Sequence, residues 1–152
     1  GEDGDFSEKM LIERHNNELA NKLGNLVSRL STLAEKYGFE KAKNLDGELI
    51  QKRVDECMQE YQLDKALHEI FAGIDKINEY LQKEKPWETH DMKVLYTAAN
   101  ALKEVTILLS PFMPETCEKI AKTFSFKLDW KTLETPLKIS KIKKADILFK
   151  KL

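Results

Sequence analysis

Asn21, Asn25 and Arg29 follow one another at four-residue spacing in a stretch whose apolar positions are Leu19, Leu23, Leu26 and Leu30. On a helix that spacing sets the polar groups in a slowly drifting row, away from the leucine stripe. An asparagine side chain carries a donor and an acceptor together, and arginine carries a flat fork of donors that also stacks on rings. Those are the groups with which a protein reads the edges of unpaired bases. Trp87 is the second candidate, because it follows Pro86 in the run Glu84-Lys85-Pro86-Trp87. An indole held at a proline corner offers a stacking surface worth about 1 to 3 kcal/mol to a base. Both features have plainer readings. A polar row opposite an apolar stripe is also an ordinary solvated helix face, and a tryptophan at a bundle end can be a plug over the core. Trp130, followed by Lys131, reads as an anchor for the C-terminal segment.

Other chemistry is sparse. His15, His68 and His90 lie far apart among polar neighbours and read as surface residues. Cys57 and Cys117 sit in helix-like patterns with no further ligand at metal spacing, so both read as buried thiols in a reducing compartment. No glycine-rich phosphate loop, nucleophile elbow or telling pair of carboxylates is present. The expectation is a chain that catalyses nothing by itself and holds no metal.

The 152 residues, 41% of them hydrophobic, suffice for one continuous core without disulfides or metal. No apolar run approaches the roughly 18 residues of a membrane span, and Gly1 to Asp5 are acidic and polar, so the expectation is a cytoplasmic chain that meets no membrane. The first residue is not Met, and residues 1–7 read as a linker or expression remnant ahead of part of a longer polypeptide. The formal net charge is −1, but it is unevenly spread: from Lys119 to Leu152 ten lysines face only Asp129, Glu134 and Asp146. That end can face a polyanion such as RNA, although charge alone favours a solvated lysine-rich surface.

Apolar steps of three and four residues predict a first helix over Glu8 to Tyr37, with Ser7 as its cap and Gly38 as its stop. Gly24 inside it suggests a close approach to the backbone. A second helix is predicted over Asp46 to Tyr61, and a third from an Asp64 cap to about Lys83. Residues 84–87 should then form a fixed, non-helical corner. A fourth helix follows over Met92 to Leu109, and a shorter fifth starts near Pro114 and ends near Thr123. Short connections make the predicted fold all-α: an antiparallel bundle of four long helices and a shorter fifth over residues 8–125. Residues 126–152 are expected as an irregular or hairpin-like basic tail, packed on the bundle or on another domain.

At these residues the chain resembles the C-terminal anticodon-binding domain of methionyl-tRNA synthetases, from Phe6 through Leu152. The run Arg14-His15-Asn16-Asn17-Glu18-Leu19-Ala20-Asn21-Lys22-Leu23-Gly24-Asn25-Leu26-Val27-Ser28-Arg29 discriminates best. Ile147-Leu148-Phe149-Lys150-Lys151 supports it, as do Asn78-Glu79-Tyr80-Leu81 with Lys85-Pro86-Trp87 and Leu109-Ser110-Pro111-Phe112-Met113-Pro114-Glu115-Thr116, although leucyl, isoleucyl, valyl and cysteinyl enzymes carry elements similar to these last. The resemblance implies a domain that binds the CAU anticodon loop of methionine tRNA, with Asn25, Arg29 and Trp87 on the splayed bases. Asn21, Lys22, Lys85 and Pro86 are supporting positions by proximity. Charging of the tRNA with methionine, using ATP and Mg, would belong to a catalytic domain of the same polypeptide, and this part would need no cofactor. DNA is not an implied partner. The same residues leave open the corresponding domain of another class I synthetase, or a helical protein-interaction module that has lost RNA binding.

Overall fold

The computed structural model describes residues 19–42, 48–60, 62–133 and 137; most of these are helical, and no strand occurs among them. A π-helical segment, Leu19–Gly24, runs into α1 (Asn25–Tyr37). Then come α2 (Glu48–Gln59), α3 (Leu63–Glu84), the single turn α4 (Pro86–Thr89), α5 (Met92–Leu109), α6 (Pro114–Phe124) and a 3-10 turn, Trp130–Thr132. The all-α bundle expected from periodicity is the architecture observed.

The core follows the apolar spacing. Leu26, Val27, Leu30, Ser31 and Ala34 form the buried face of α1. Ala66, Leu67, Ile70, Phe71, Ile74, Ile77 and Leu81 form that of α3. Helix α5 is buried nearly all round, from Val94 to Lys103 and again from Val105 to Leu109. A helix with no solvated face belongs at the centre of its domain. Accordingly α5 packs against α1, α2, α3, α4 and α6, while α2 lies mainly along α3.

Several boundaries differ from the expectation, each for a local reason. The first predicted helix is not α-helical throughout: Leu19–Gly24 has the wider π turn, and Gly24 stands at the junction in an ordinary right-handed conformation. Leu23 is fully buried all the same. The π turn therefore changes the azimuth of the residues before Asn25 relative to α1. Gly38 ends α1 with φ 83° and ψ −172°, a region open essentially to glycine alone, and its N–H donates to the Ala34 carbonyl at 2.8 Å. Asp64 is not the cap of α3. Gln62 occupies that position without a side-chain bond, and Asp64 lies in the first turn, where the helix dipole favours a carboxylate. In α2, Val54 is buried while Cys57 and Met58 are half-buried. Ser7, His15, Asp46 and Tyr61 lie outside the described residues, as do the start of the first predicted helix and residues 138–152 of the expected tail.

Residues 84–87 are a corner, though not a non-helical one. Lys85 takes the left-handed conformation (φ 48°, ψ 59°) and closes α3 by donating to the Leu81 carbonyl at 2.9 Å. Pro86 then opens α4, because its locked φ fits a first helical turn and its missing amide proton is not needed there. His90 ends that turn with φ 58°, and Asp91 caps α5 by accepting from the Lys93 and Val94 N–H groups at 3.0 and 3.4 Å.

Beyond α6 the tail is anchored by residues other than the one expected. Trp130 is 38% exposed, whereas Leu133 and Leu137 are buried. The Leu137 N–H donates to Asn100 Oδ1 at 2.8 Å, and the Tyr96 hydroxyl donates to the Leu137 carbonyl at 2.7 Å. Two buried side chains of α5 thus satisfy the backbone of a non-helical residue, which lets an irregular segment lie against the core. Trp130 opens a 3-10 turn that starts from the Asp129 cap.

Two stability measurements check this construction of the bundle. Asp91→Ala removes the α5 cap and should lower the unfolding free energy by about 1 kcal/mol in urea titration. Burial in the core pushes the Cys117 thiol up to about 12 from an ordinary value of 9.0. Below pH 9 the thiol is neutral in both states. Above it the unfolded thiol ionises while the folded one does not, so stability falls as pH rises toward 12. Between pH 8 and 10 the wild type should lose about 1 kcal/mol more than Cys117→Ala does, and equal slopes would refute the assignment.

Candidate nucleic-acid interface

The row read from sequence and the proline corner meet in one place. Asn25 and Arg29 project from exposed positions of α1, and Trp87 from α4 lies half-buried beside them. The Arg29 guanidinium carbon stands 5.4 Å from the centroid of the Trp87 ring. That is cation–π distance, and the attraction orients a long side chain that would otherwise sample many rotamers. Asn25, Ser28, Arg29, Thr32, Leu33, Gln82 and Trp87 line an open cleft of about 460 Å³.

Local sequence explains the floor and walls. Asn25, Ser28, Arg29 and Thr32 are three and four residues apart on α1, hence on one face. The Thr32 hydroxyl donates back to the Ser28 carbonyl at 2.7 Å, so it is already engaged. Leu33, half-buried, gives the cleft an apolar patch between the polar row and the core. Gln82 comes from the last turns of α3, just before the Lys85–Pro86 corner delivers Trp87. Trp87 packs partly against the core, so it combines the two readings open at the sequence level: it covers apolar side chains and lines the cleft.

The supporting positions fall elsewhere. Asn21 is exposed on the π segment and is not part of the cleft lining. The Lys22 ammonium is 3.2 Å from the Asp75 carboxylate and ties the π segment to α3. Lys85 is exposed at the corner and Pro86 is buried beneath it; neither lines the cleft. Ser28, Thr32, Leu33 and Gln82 were not singled out by sequence. Thr32 was readable as one helical turn beyond Arg29, whereas Gln82 comes in only through the packing of α3 beside α1. His68 and His90 are exposed, as expected for surface histidines. No group of three or more His, Cys, Asp or Glu among the described residues could hold a metal ion.

An open cleft holding amides, a guanidinium, an indole and a leucine has the elements for stacking a flat heterocycle and bonding its edge. The sequence matches the anticodon-binding domain of tRNA ligases over residues 48–150, and the chain belongs to that family. Its relatives are methionine–tRNA ligases. That of Caldanaerobacter subterraneus subsp. tengcongensis is 35% identical, over 98% of this chain and 27% of that protein. That of Helicobacter pylori is 35% identical, over 93% of this chain and 25% of that protein. The chain thus spans about a quarter of the length of these curated relatives. The fold is shared with the free-state methionyl-tRNA synthetase of Mycobacterium tuberculosis, at a TM-score of 0.77 and 20% identity, covering 93% of this chain and 34% of that one. Asn25 and Arg29 precede the family match, but the alignment to the first of these ligases covers nearly the whole chain.

If the Arg29–Trp87 contact orders the cleft, it should be measurable without any ligand. A double-mutant cycle of Arg29→Ala and Trp87→Ala, read by urea unfolding, should give a coupling of about 0.5 to 1 kcal/mol. Strict additivity would mean that the guanidinium does not dwell on the ring.

Proposed function

We propose that this chain reads the CAU anticodon of methionine tRNA, and that a catalytic domain of the same polypeptide charges that tRNA with methionine using ATP and Mg. The observation that carries the reading is the cleft in which the Arg29 guanidinium stands 5.4 Å from the Trp87 ring centroid, with Asn25 on the same lining. Bases of a splayed loop would stack against the indole, while the Asn25 amide and the Arg29 fork bond their edges. Leu33 would remove part of each base from water.

Discrimination would come from unmet bonds. A wrong base closes the cleft over donors and acceptors it cannot pair, and an unpaired buried polar group costs about 1 to 3 kcal/mol. The formal net charge of −1 supplies little general attraction to RNA, so the reading assigns the chain selectivity rather than high affinity. This chain itself would need no cofactor. Its setting would be the cytoplasm; no helix among the described residues is long and apolar enough to cross a membrane.

Fluorescence anisotropy with RNA stem-loops tests the proposal. A CAU loop should bind at least about fivefold more tightly than loops altered at the first or second anticodon base, the equivalent of about 1 kcal/mol. Trp87→Ala should abolish most of that preference while leaving the helical circular dichroism unchanged. Equal binding to every loop, or a preference that survives the substitution, would overturn it.

A further inference from the structure

The cleft is not the only place where α1 and the turn after α3 set a flat ring against a neighbour. Two turns beyond Arg29, the Tyr37 ring is stacked on the His90 ring, with centroids 4.1 Å apart and planes inclined by 17°. The Lys36 ammonium lies 5.3 Å from the centroid of the same tyrosine ring. His90 is exposed and Tyr37 is half-buried, so the phenol is fixed against the bundle while the imidazole faces solvent. Helix α1 and the α4 turn with its closing residue contribute in matched pairs: Arg29 meets Trp87, and Tyr37 meets His90.

Resting on the RNA-binding reading above, we infer that Tyr37 and His90 form a second stacking platform, for a base of the same strand lying beyond those read at Trp87, with Lys36 placed for an adjoining phosphate. Spacing supports this. Eight residues of α1 separate Arg29 from Tyr37, about 12 Å at 1.5 Å per residue. The two α1 residues that meet these rings are thus about two helical turns apart, so the ring pairs are separate along the helix. Position on the chain supports it as well. His90 is held at φ 58° between the end of α4 and the Asp91 cap of α5, so its backbone is fixed from both sides and its ring is set by the Tyr37 stack. The Asp91 carboxylate is turned into the first amides of α5, which leaves Lys36 as the charge against the ring pair; Glu40 and Glu88 are exposed at adjoining positions. A tie that only closed the end of α1 would need no exposed aromatic face. A base needs one, because stacking is sequence-tolerant and uses the open side of the ring.

The test compares wild type, Trp87→Ala, His90→Asn and Lys36→Gln on a CAU stem-loop and on a series of the same loop with one base removed at each position. Asparagine at 90 keeps the left-handed backbone, and thermal unfolding checks each fold. His90→Asn should weaken the intact loop about 5- to 150-fold, the range for losing one stacked base. Its effect should vanish on a loop lacking one particular base, different from the base whose removal silences Trp87→Ala. Lys36→Gln, an exposed change that leaves the ring pair in place, should reduce the slope of log affinity against log salt by about 0.7. If Trp87→Ala weakens binding while His90→Asn binds every loop as wild type does, the second platform is overturned and the anticodon reading stands. If Trp87→Ala also has no effect, both fall together. A His90→Asn loss equal on every loop would place its action in the fold, and an unchanged salt slope would remove Lys36 from the assignment.

Discussion

Pro86 has one accessible φ and no amide proton, and the position of the cleft follows from those two facts. A chain leaving α3 must turn before it can enter α5. Lys85 makes the turn in the left-handed region, at a cost of about 1 kcal/mol or more for a residue other than glycine. Pro86 then starts a new helical turn at once, buried in the corner, and Trp87 is thrown sideways onto α1 rather than along the axis of α3. Without the proline, the same residues could continue α3 and carry the indole away from Arg29.

The corner is useful only because the helices around it cannot shift. Helix α5 is buried on nearly every side, and α1 and α3 lay their apolar stripes on it. Close-packed interiors transmit displacement instead of absorbing it, so the Asn25 and Arg29 row keeps its distance from Trp87. The irregular segment after α6 is held by the same central helix, through Asn100 and Tyr96 to Leu137. Helix α5 therefore organises both the cleft and the tail.

Charge and geometry play separate roles. The described part of the cleft holds one guanidinium among neutral groups, and the lysine-rich stretch lies at the far end of the sequence. Lys22 is drawn into a cross-helix pair with Asp75. On the proposed reading, such a surface would select by shape, stacking and hydrogen bonding, and would leave long-range attraction to basic residues elsewhere.

Helix periodicity, the glycine stop at Gly38, the Met92–Leu109 segment and the Asn25–Arg29 spacing were all determined by the sequence, because each depends on residues within a few positions of one another. The π turn at Leu19–Gly24, the uncapped start of α3 and the helical state of Pro86–Thr89 were not, since α, π and single-turn geometries place nearly the same residues inside. Asn25, Arg29 and Trp87 could be named as candidates one by one. Only the tertiary structure decided that they share a cleft with Gln82 and Leu33, that Tyr37 meets His90, and that Leu133 and Leu137 rather than Trp130 pin the tail. The physical reason is the same each time: such pairs lie dozens of residues apart in sequence, and their meeting is set by how whole helix faces bury against α5, which no local pattern encodes.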